Sequence, residues 1–145
     1  MLYGFDILRE VSMEEKEIRA LIQKAMEVRK NAYAPYSKFL VGAVLIDEEG
    51  REYRGVNVEN TSYGLSSCAE RNAIFSGVAK GMKKIAVLCV VGDTEDPIRP
   101  CGACRQVILE FANEDTKIIL SNLHGKYEVF SIEDLLPNSF FVKIY

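Results

Sequence analysis

Lys84-Ile85-Ala86-Val87-Leu88-Cys89-Val90-Val91 is an apolar run without alternation, the pattern of a strand covered on both faces, as in a parallel sheet. Parallel strands need crossover connections. The next helical pattern begins at Pro100-Cys101-Gly102-Ala103-Cys104-Arg105-Gln106. Within it Cys101 and Cys104 stand at i, i+3, so both sulfurs lie on the same side of a first turn. The unpaired N–H groups of that turn and the helix dipole favour thiolate over thiol. Alone, this C-x-x-C suits a metal site, a redox dithiol or chance.

A third cysteine, Cys68 in Ser67-Cys68-Ala69-Glu70-Arg71, turns the balance toward a metal. Three thiolates give zinc three protein ligands, whereas a structural zinc site wants four. Cys89 is a poor fourth, because inside its apolar run it reads as a buried small hydrophobe. His124, the only histidine, lies in Asn122-Leu123-His124-Gly125 and reads as an exposed turn residue. An open fourth position marks a catalytic zinc, where water can bind. Glu70 is the natural acid/base beside that water. Regular helix geometry does not aim residue 70 where residue 68 points, so the turn at Cys68 must be distorted or pre-helical.

Toward the N-terminus, a helix is predicted from the capping-box pattern Ser12-Met13-Glu14-Glu15 to about Asn31, with Ile18, Leu21, Ile22, Ala25 and Met26 as its core stripe. Pro35 requires that helix to end before Ala34. Strands follow at Leu40 to Ile46 and Arg51 to Val58, joined as an antiparallel hairpin by Asp47-Glu48-Glu49-Gly50. Asn57 and Glu59, two apart at the second strand's end, point to one face, which on residue pattern alone is a polar face in water. A second helix is expected from Cys68 to Lys80 with Ile74, Phe75, Val78 and Ala79 buried, then Gly81 as its cap. Beyond the metal motif, the third helix runs to about Phe111 and buries Val107, Ile108 and Phe111. Strands at Lys117 to Ser121 and Tyr127 to Phe130 and one helical turn at Ile132 to Leu136 complete the chain. The order α-β-β-α-β-α-β-β predicts an α/β fold, a mixed sheet covered by helices.

The 145 residues suit one domain with one substantial core, residues 1–11 standing as a possible N-terminal extension. Hydrophobic content of 48% and charged content of 27% are those of a soluble globular protein. A net charge of −3 gives no basic surplus to follow a phosphate backbone, so no nucleic-acid partner is expected. No apolar run approaches the roughly 18 residues of a membrane span, and the acidic N-terminus is no signal peptide. Three cysteines on a metal rather than in disulfides suit a reducing cytoplasm.

The pair C-A-E at Cys68-Ala69-Glu70 and P-C-x-x-C at Pro100 to Cys104 resembles the zinc-dependent deaminase signature. With cysteine before Ala-Glu, the chain is similar to the small homotetrameric cytidine deaminases. Pro35-Tyr36-Ser37-Lys38-Phe39 and Asn57-Val58-Glu59-Asn60 extend the likeness from the first helix to Phe140. Leu40 departs from it, standing where the family usually has proline. The resemblance implies a three-layer α/β/α fold with a five-stranded mixed sheet. It implies one zinc per chain on Cys68, Cys101 and Cys104, with Glu70 catalytic and Arg71 hydrogen-bonded to the zinc-bound sulfurs. It implies Phe39 flanking the pyrimidine, Asn57 and Glu59 on the ribose, and Ala69 among the substrate-binding residues. Tyr63 and Phe140 would reach a neighbouring subunit's site in a homotetramer.

The implied reaction is hydrolytic deamination of cytidine and deoxycytidine, a step of pyrimidine salvage. A deaminase of the blasticidin S type shares C-A-E and P-C-x-x-C, but Asn57-x-Glu59 reads more like a ribose grip. A zinc-stabilised binding module would need a fourth protein ligand, and a thioredoxin-like dithiol leaves Cys68 and Glu70 unexplained.

Overall fold

The computed structural model describes the backbone of residues 2–144 and the side chains of residues 15–144. Helix α1 (Leu2–Arg29) begins well before Ser12, so the predicted start lies inside a longer helix. The capping contacts of Ser12 fall outside the described side chains. Glu15, the acid of that pattern, pairs instead with Arg19 one turn on, at 3.3 Å. The expected stripe holds: Ile18, Ile22 and Ala25 are buried, with Leu21 and Met26 packed beside them.

The sheet is formed by β1 (Val41–Asp47), β2 (Glu52–Val56), β3 (Ile85–Gly92), β4 (Lys117–Ser121) and β5 (Tyr127–Phe130) in the order β2-β1-β3-β4-β5. Only β3 and β4 pair in parallel; the other three pairings are antiparallel. Strand β3 lies at the centre and is covered on both sides, as its unalternating sequence requires. Its Leu88 and Val90 face the core under α2 (Ala69–Ala79) and α3 (Gly102–Phe111). Cys89 and Val91 face α1 on the other side. The result is a three-layer α/β/α mixed sheet, as expected. A short 3₁₀ turn (Tyr63–Leu65) and a final turn of helix, α4 (Ile132–Leu135), complete the elements.

Strands β2 and β3 run parallel to one another with β1 antiparallel between them. Both therefore end at the same edge of the sheet, and each feeds a helix from there, β2 into α2 and β3 into α3. Cys68 and Cys101, far apart in sequence, are brought together by this topology.

Helix α2 corrects the sequence reading. Its sheet-facing stripe is Ala69, Ala73 and Gly77 with Ile74, while Phe75 and Val78 are 50% and 41% exposed and Ala79 is also exposed. The cause is close approach. A Cβ on Gly55 of β2 would stand 2.4 Å from Ala73 N and 2.5 Å from Ala69 O, so helix backbone lies almost on strand backbone. Only small residues fit such a seam, and bulk was a misleading sign of burial. In α3, Ile108 is buried, while Val107 and Phe111 pack only partly covered against the core. Strand β2 ends at Val56, short of the expected Val58, which makes isolated bridges to Tyr33 and Ser67.

Candidate active site and metal centre

Cys68 and Cys101 occupy equivalent positions, each the N-cap of its helix with extended backbone. Cys68 has φ −75° and ψ 155°, the pre-helical turn that lets Glu70 share its direction. Cys101 accepts the N–H of Cys104 on its sulfur, so the thiol serves as a capping acceptor. The Cys68 and Cys101 sulfurs are 3.9 Å apart, and with Cys104 all three lie within 4.8 Å of one another. Among the described residues these cysteines form the one group of three or more ligating side chains close enough to hold a metal ion.

The donor chemistry fits zinc, which takes thiolates in tetrahedral sites. The Cys104 thiol hydrogen-bonds Cys68 and, with Arg71, brings the Cys68 thiol down to about 5 despite burial. Cys104 is pushed up correspondingly, because it keeps the proton it offers to Cys68. Arg71 Nη2 donates to Cys68 Sγ at 3.3 Å, and contact with sulfur raises the guanidinium further. Arg71 Nε is buried with no hydrogen-bond partner among the described residues. A cation thus stands behind the sulfurs, where it draws charge from an anion-rich ligand set.

In front of the sulfurs lies a cleft of about 350 Å³, within the usual size of small-molecule sites. Cys68, Cys101 and Glu70 open onto it, whereas Cys104 is fully buried behind. Glu70 is 4% exposed, and burial raises its carboxyl above the ordinary range, with the Cys68 charge adding to the effect. Phe39, Val41, Asn57 and Ala69 also line the cleft. Thr94, Ile98 and Arg99, from the loop after β3, complete the lining. Ile98 and Phe39 both pack over Gly92: a Cβ there would meet Ile98 Cδ1 at 2.5 Å and Phe39 Cζ at 3.2 Å.

Asn57 and Glu59, half-buried beyond the end of β2, both hydrogen-bond the segment between α1 and β1. Asn57 Oδ1 accepts from Val41 N at 2.8 Å, and its Nδ2 donates to Phe39 O at 2.7 Å. Glu59 accepts from Tyr36 N, Ser37 N and the Ser37 hydroxyl, which hold its carboxyl below the ordinary range, the hydroxyl first. Glu59 lines a second hollow with Tyr36, Ser37, Tyr63 and Ser66. Tyr63 is 75% exposed and lies edge-on to Tyr36. Phe140 is 77% exposed on the C-terminal tail, where its carbonyl accepts from Gln106 Nε2, and is not among the residues lining the cleft.

His124 is an exposed turn residue, as expected, 3.5 Å from Asp93 and no ligand. The sequence reading missed Thr94, Ile98 and Arg99, whose segment scanned only as a connector to the metal motif. Its position, between a central strand and a helix start, was the available signal. Tyr36 and Ser37 were legible as a connector and as part of the Pro35–Phe39 likeness, and their part in holding Glu59 needed the fold.

The model of the cytidine and deoxycytidylate deaminase zinc-binding region matches residues 15–120. A protein of Halalkalibacterium halodurans named cytidine deaminase is 47% identical over 120 residues, 83% of this chain and 91% of that protein. One of Sporosarcina psychrophila with the same name is also 47% identical, over 86% of this chain and 91% of its own length. The crystal structure of cytidine deaminase from Burkholderia pseudomallei superposes with a TM-score of 0.82 at 49% identity, covering 84% of this chain and 98% of that one. These likenesses span both cysteine motifs.

Proposed function

The chain belongs to the cytidine and deoxycytidylate deaminase zinc-binding family, and on that premise we propose that it hydrolyses cytidine and deoxycytidine to uridine and deoxyuridine, releasing ammonia. The observation that carries this reading is the shared cleft of Cys68, Cys101 and Glu70, whose lining also includes an aromatic, Phe39, and an amide, Asn57. A zinc ion on Cys68, Cys101 and Cys104 would supply an activated water beside the base.

Glu70 does the proton work. Its carboxylate takes a proton from the water that adds to C4, passes one to ring N3, and protonates the amine as the C4–N bond breaks. One group acting in turn as base and acid works best with a pKa near the working pH, and burial moves Glu70 in that direction. Arg71 holds Cys68 by its sulfur and tempers the charge of three thiolates. Phe39 and Ala69 flank the pyrimidine. Asn57 and Glu59, already fixed by the connector, present their remaining acceptor and donor capacity to ribose hydroxyls. Binding the sugar then orients C4 toward the water.

The assembly is a homotetramer with sites shared between subunits. The exposed Phe75 and Val78 on α2 and the exposed Tyr63 and Phe140 support this, being large apolar groups that water would otherwise face. The partner is a small nucleoside, with no nucleic acid and no membrane; among the described residues no helix is long and apolar enough to cross one. The reaction serves pyrimidine salvage in the cytoplasm, where thiolate ligands stay reduced.

The test is loss of cytidine's ultraviolet absorbance with ammonia release, run beside metal analysis and after treatment with a chelator. One zinc per chain, activity lost with the metal and regained on adding zinc is the expected result. A fully zinc-loaded protein that leaves cytidine unchanged would defeat the proposal.

A further inference from the structure

We infer that Asn122 is a positioning residue for the cleft: its buried side-chain amide ties the loop of residues 93–99, one wall of the site, to the turn between β4 and β5. The inference rests on the proposed deamination, since the wall it holds is the wall of that cleft. Asn122 is 1% exposed, and a buried amide has to find its partners within the protein. His124 N and Lys126 N both point at one end of it, at 2.8 and 3.1 Å, which identifies that end as the oxygen. The nitrogen end therefore donates outward, to Glu95 O at 2.8 Å. Next to it Ile98 N donates to Ser121 O at 3.4 Å.

The loop so tethered carries Thr94, Ile98 and Arg99 into the cleft and leads directly into Cys101. Ile98 bears on Gly92 and so stands next to Phe39, the aromatic proposed to face the base. Two ion pairs, Lys126 to Asp96 and Arg99 to Glu128 at 2.8 Å, and a contact of His124 with Asp93 at 3.5 Å also cross from this loop to the same hairpin. All three are solvent-exposed, and exposed pairs contribute little. The buried amide is the tether that water cannot replace.

Asn122→Asp separates the two duties of the side chain. Once ionised, the carboxyl still accepts from His124 N and Lys126 N, so the turn keeps its hub, but it cannot donate to Glu95 O. Because burial raises it, both readouts are followed over a pH series to the alkaline limit. The variant should fold and bind zinc as the parent does, while amides of residues 93–99 exchange with deuterium faster. KM for cytidine should rise about tenfold, the factor that one amide hydrogen bond sustains, with a smaller change in kcat per bound zinc. A role confined to the turn predicts parental KM and parental exchange, and that result would overturn the inference. Should Asn122→Asp not fold, the parent carries the test through the Asn122 amide protons observed by NMR. Slow exchange and a shift on adding uridine support the tether, and rapid exchange without a shift refutes it. A zinc-loaded parent inactive on cytidine would remove the deaminase reading, and the exchange comparison would still decide the tether.

Discussion

Asp47 and Glu70 are hidden to almost the same degree, 2% and 4% exposed, yet their carboxyls are displaced in opposite directions. Burial pushes both upward. Asp47 nevertheless ends below its ordinary value because the β1–β2 hairpin surrounds it with donors. Glu49 N and Arg51 N reach Oδ1 at 3.0 and 2.8 Å, while Arg51 Nε and Tyr53 OH reach Oδ2 at 2.9 and 3.2 Å. Glu70 has its own N–H and the Cys104 thiol against burial and the Cys68 charge, and it ends above. The two also sit at opposite edges of the sheet, Asp47 where β1 ends and Glu70 where β2 and β3 feed their helices. A carboxylate saturated by its own hairpin is a building element. One left open to a cleft beside sulfur is free to exchange protons.

Exchanging each acid for its amide should therefore have opposite consequences. Glu70→Gln gives the largest effect: kcat should fall on the order of 10²–10⁴-fold, because an amide cannot carry the proton in either transfer. Zinc content and unfolding midpoint should stay at or above the parent's, since the substitution removes a buried ionisable group. Near-normal turnover in the zinc-loaded variant would erase the distinction between the two acids.

Glu59 sharpens the comparison, because it is hydrogen-bonded as Asp47 is and yet lines a hollow of its own, where the proposed function puts it on the ribose. Glu59→Gln replaces charge-assisted hydrogen bonds by neutral ones, a change worth about tenfold in kcat/KM for cytidine. Free cytosine, which has no ribose to hold, should be used poorly by the parent and be little affected by the variant. An equal loss on both substrates would make Glu59 a structural carboxylate like Asp47, acting only through the connector.

The sequence carried the metal chemistry more plainly than it carried these distinctions. Three cysteines, two of them at helix starts, announce a metal wherever the fold brings them together, and the unalternating β3 told which fold would do so. The role of Glu70 came through likeness to a family, because residue 70 aims with residue 68 only if Cys68 is a cap, and cap geometry is not written in the motif. Phe75 and Val78 misled because hydrophobicity is the same whether a side chain meets its own core or another surface. The loop of residues 93–99 stayed dark for another reason: it is held by bonds between backbone groups and a distant Asn122, none with a local signature. Asp47 was legible as a turn residue, though not as a buried one.

The smallest effect on activity, and the clearest on stability, belongs to Asp47→Asn. Neutralising an acceptor of charge-assisted bonds should cost on the order of 2 kcal/mol at neutral pH, with turnover on cytidine unchanged. The pH dependence follows from the direction of the shift. Asp47 is lowered in the folded chain from an ordinary 3.8, so the unfolded chain takes up the proton first. The stabilisation is thus complete above about pH 4 and drains away as pH falls through the lower folded value. Asp47→Asn has no such proton to gain, so the parent loses its advantage in acid and the two unfolding free energies converge. Protonation of the cysteines and loss of zinc at low pH weaken both proteins alike and cancel in the difference. Denaturant unfolding of parent and variant at pH 7 and near pH 3 makes the comparison. A gap that stays constant across that range would mean that Asp47 acts by shape and packing, and a fall in activity with it would mean that the two edges of the sheet are not independent.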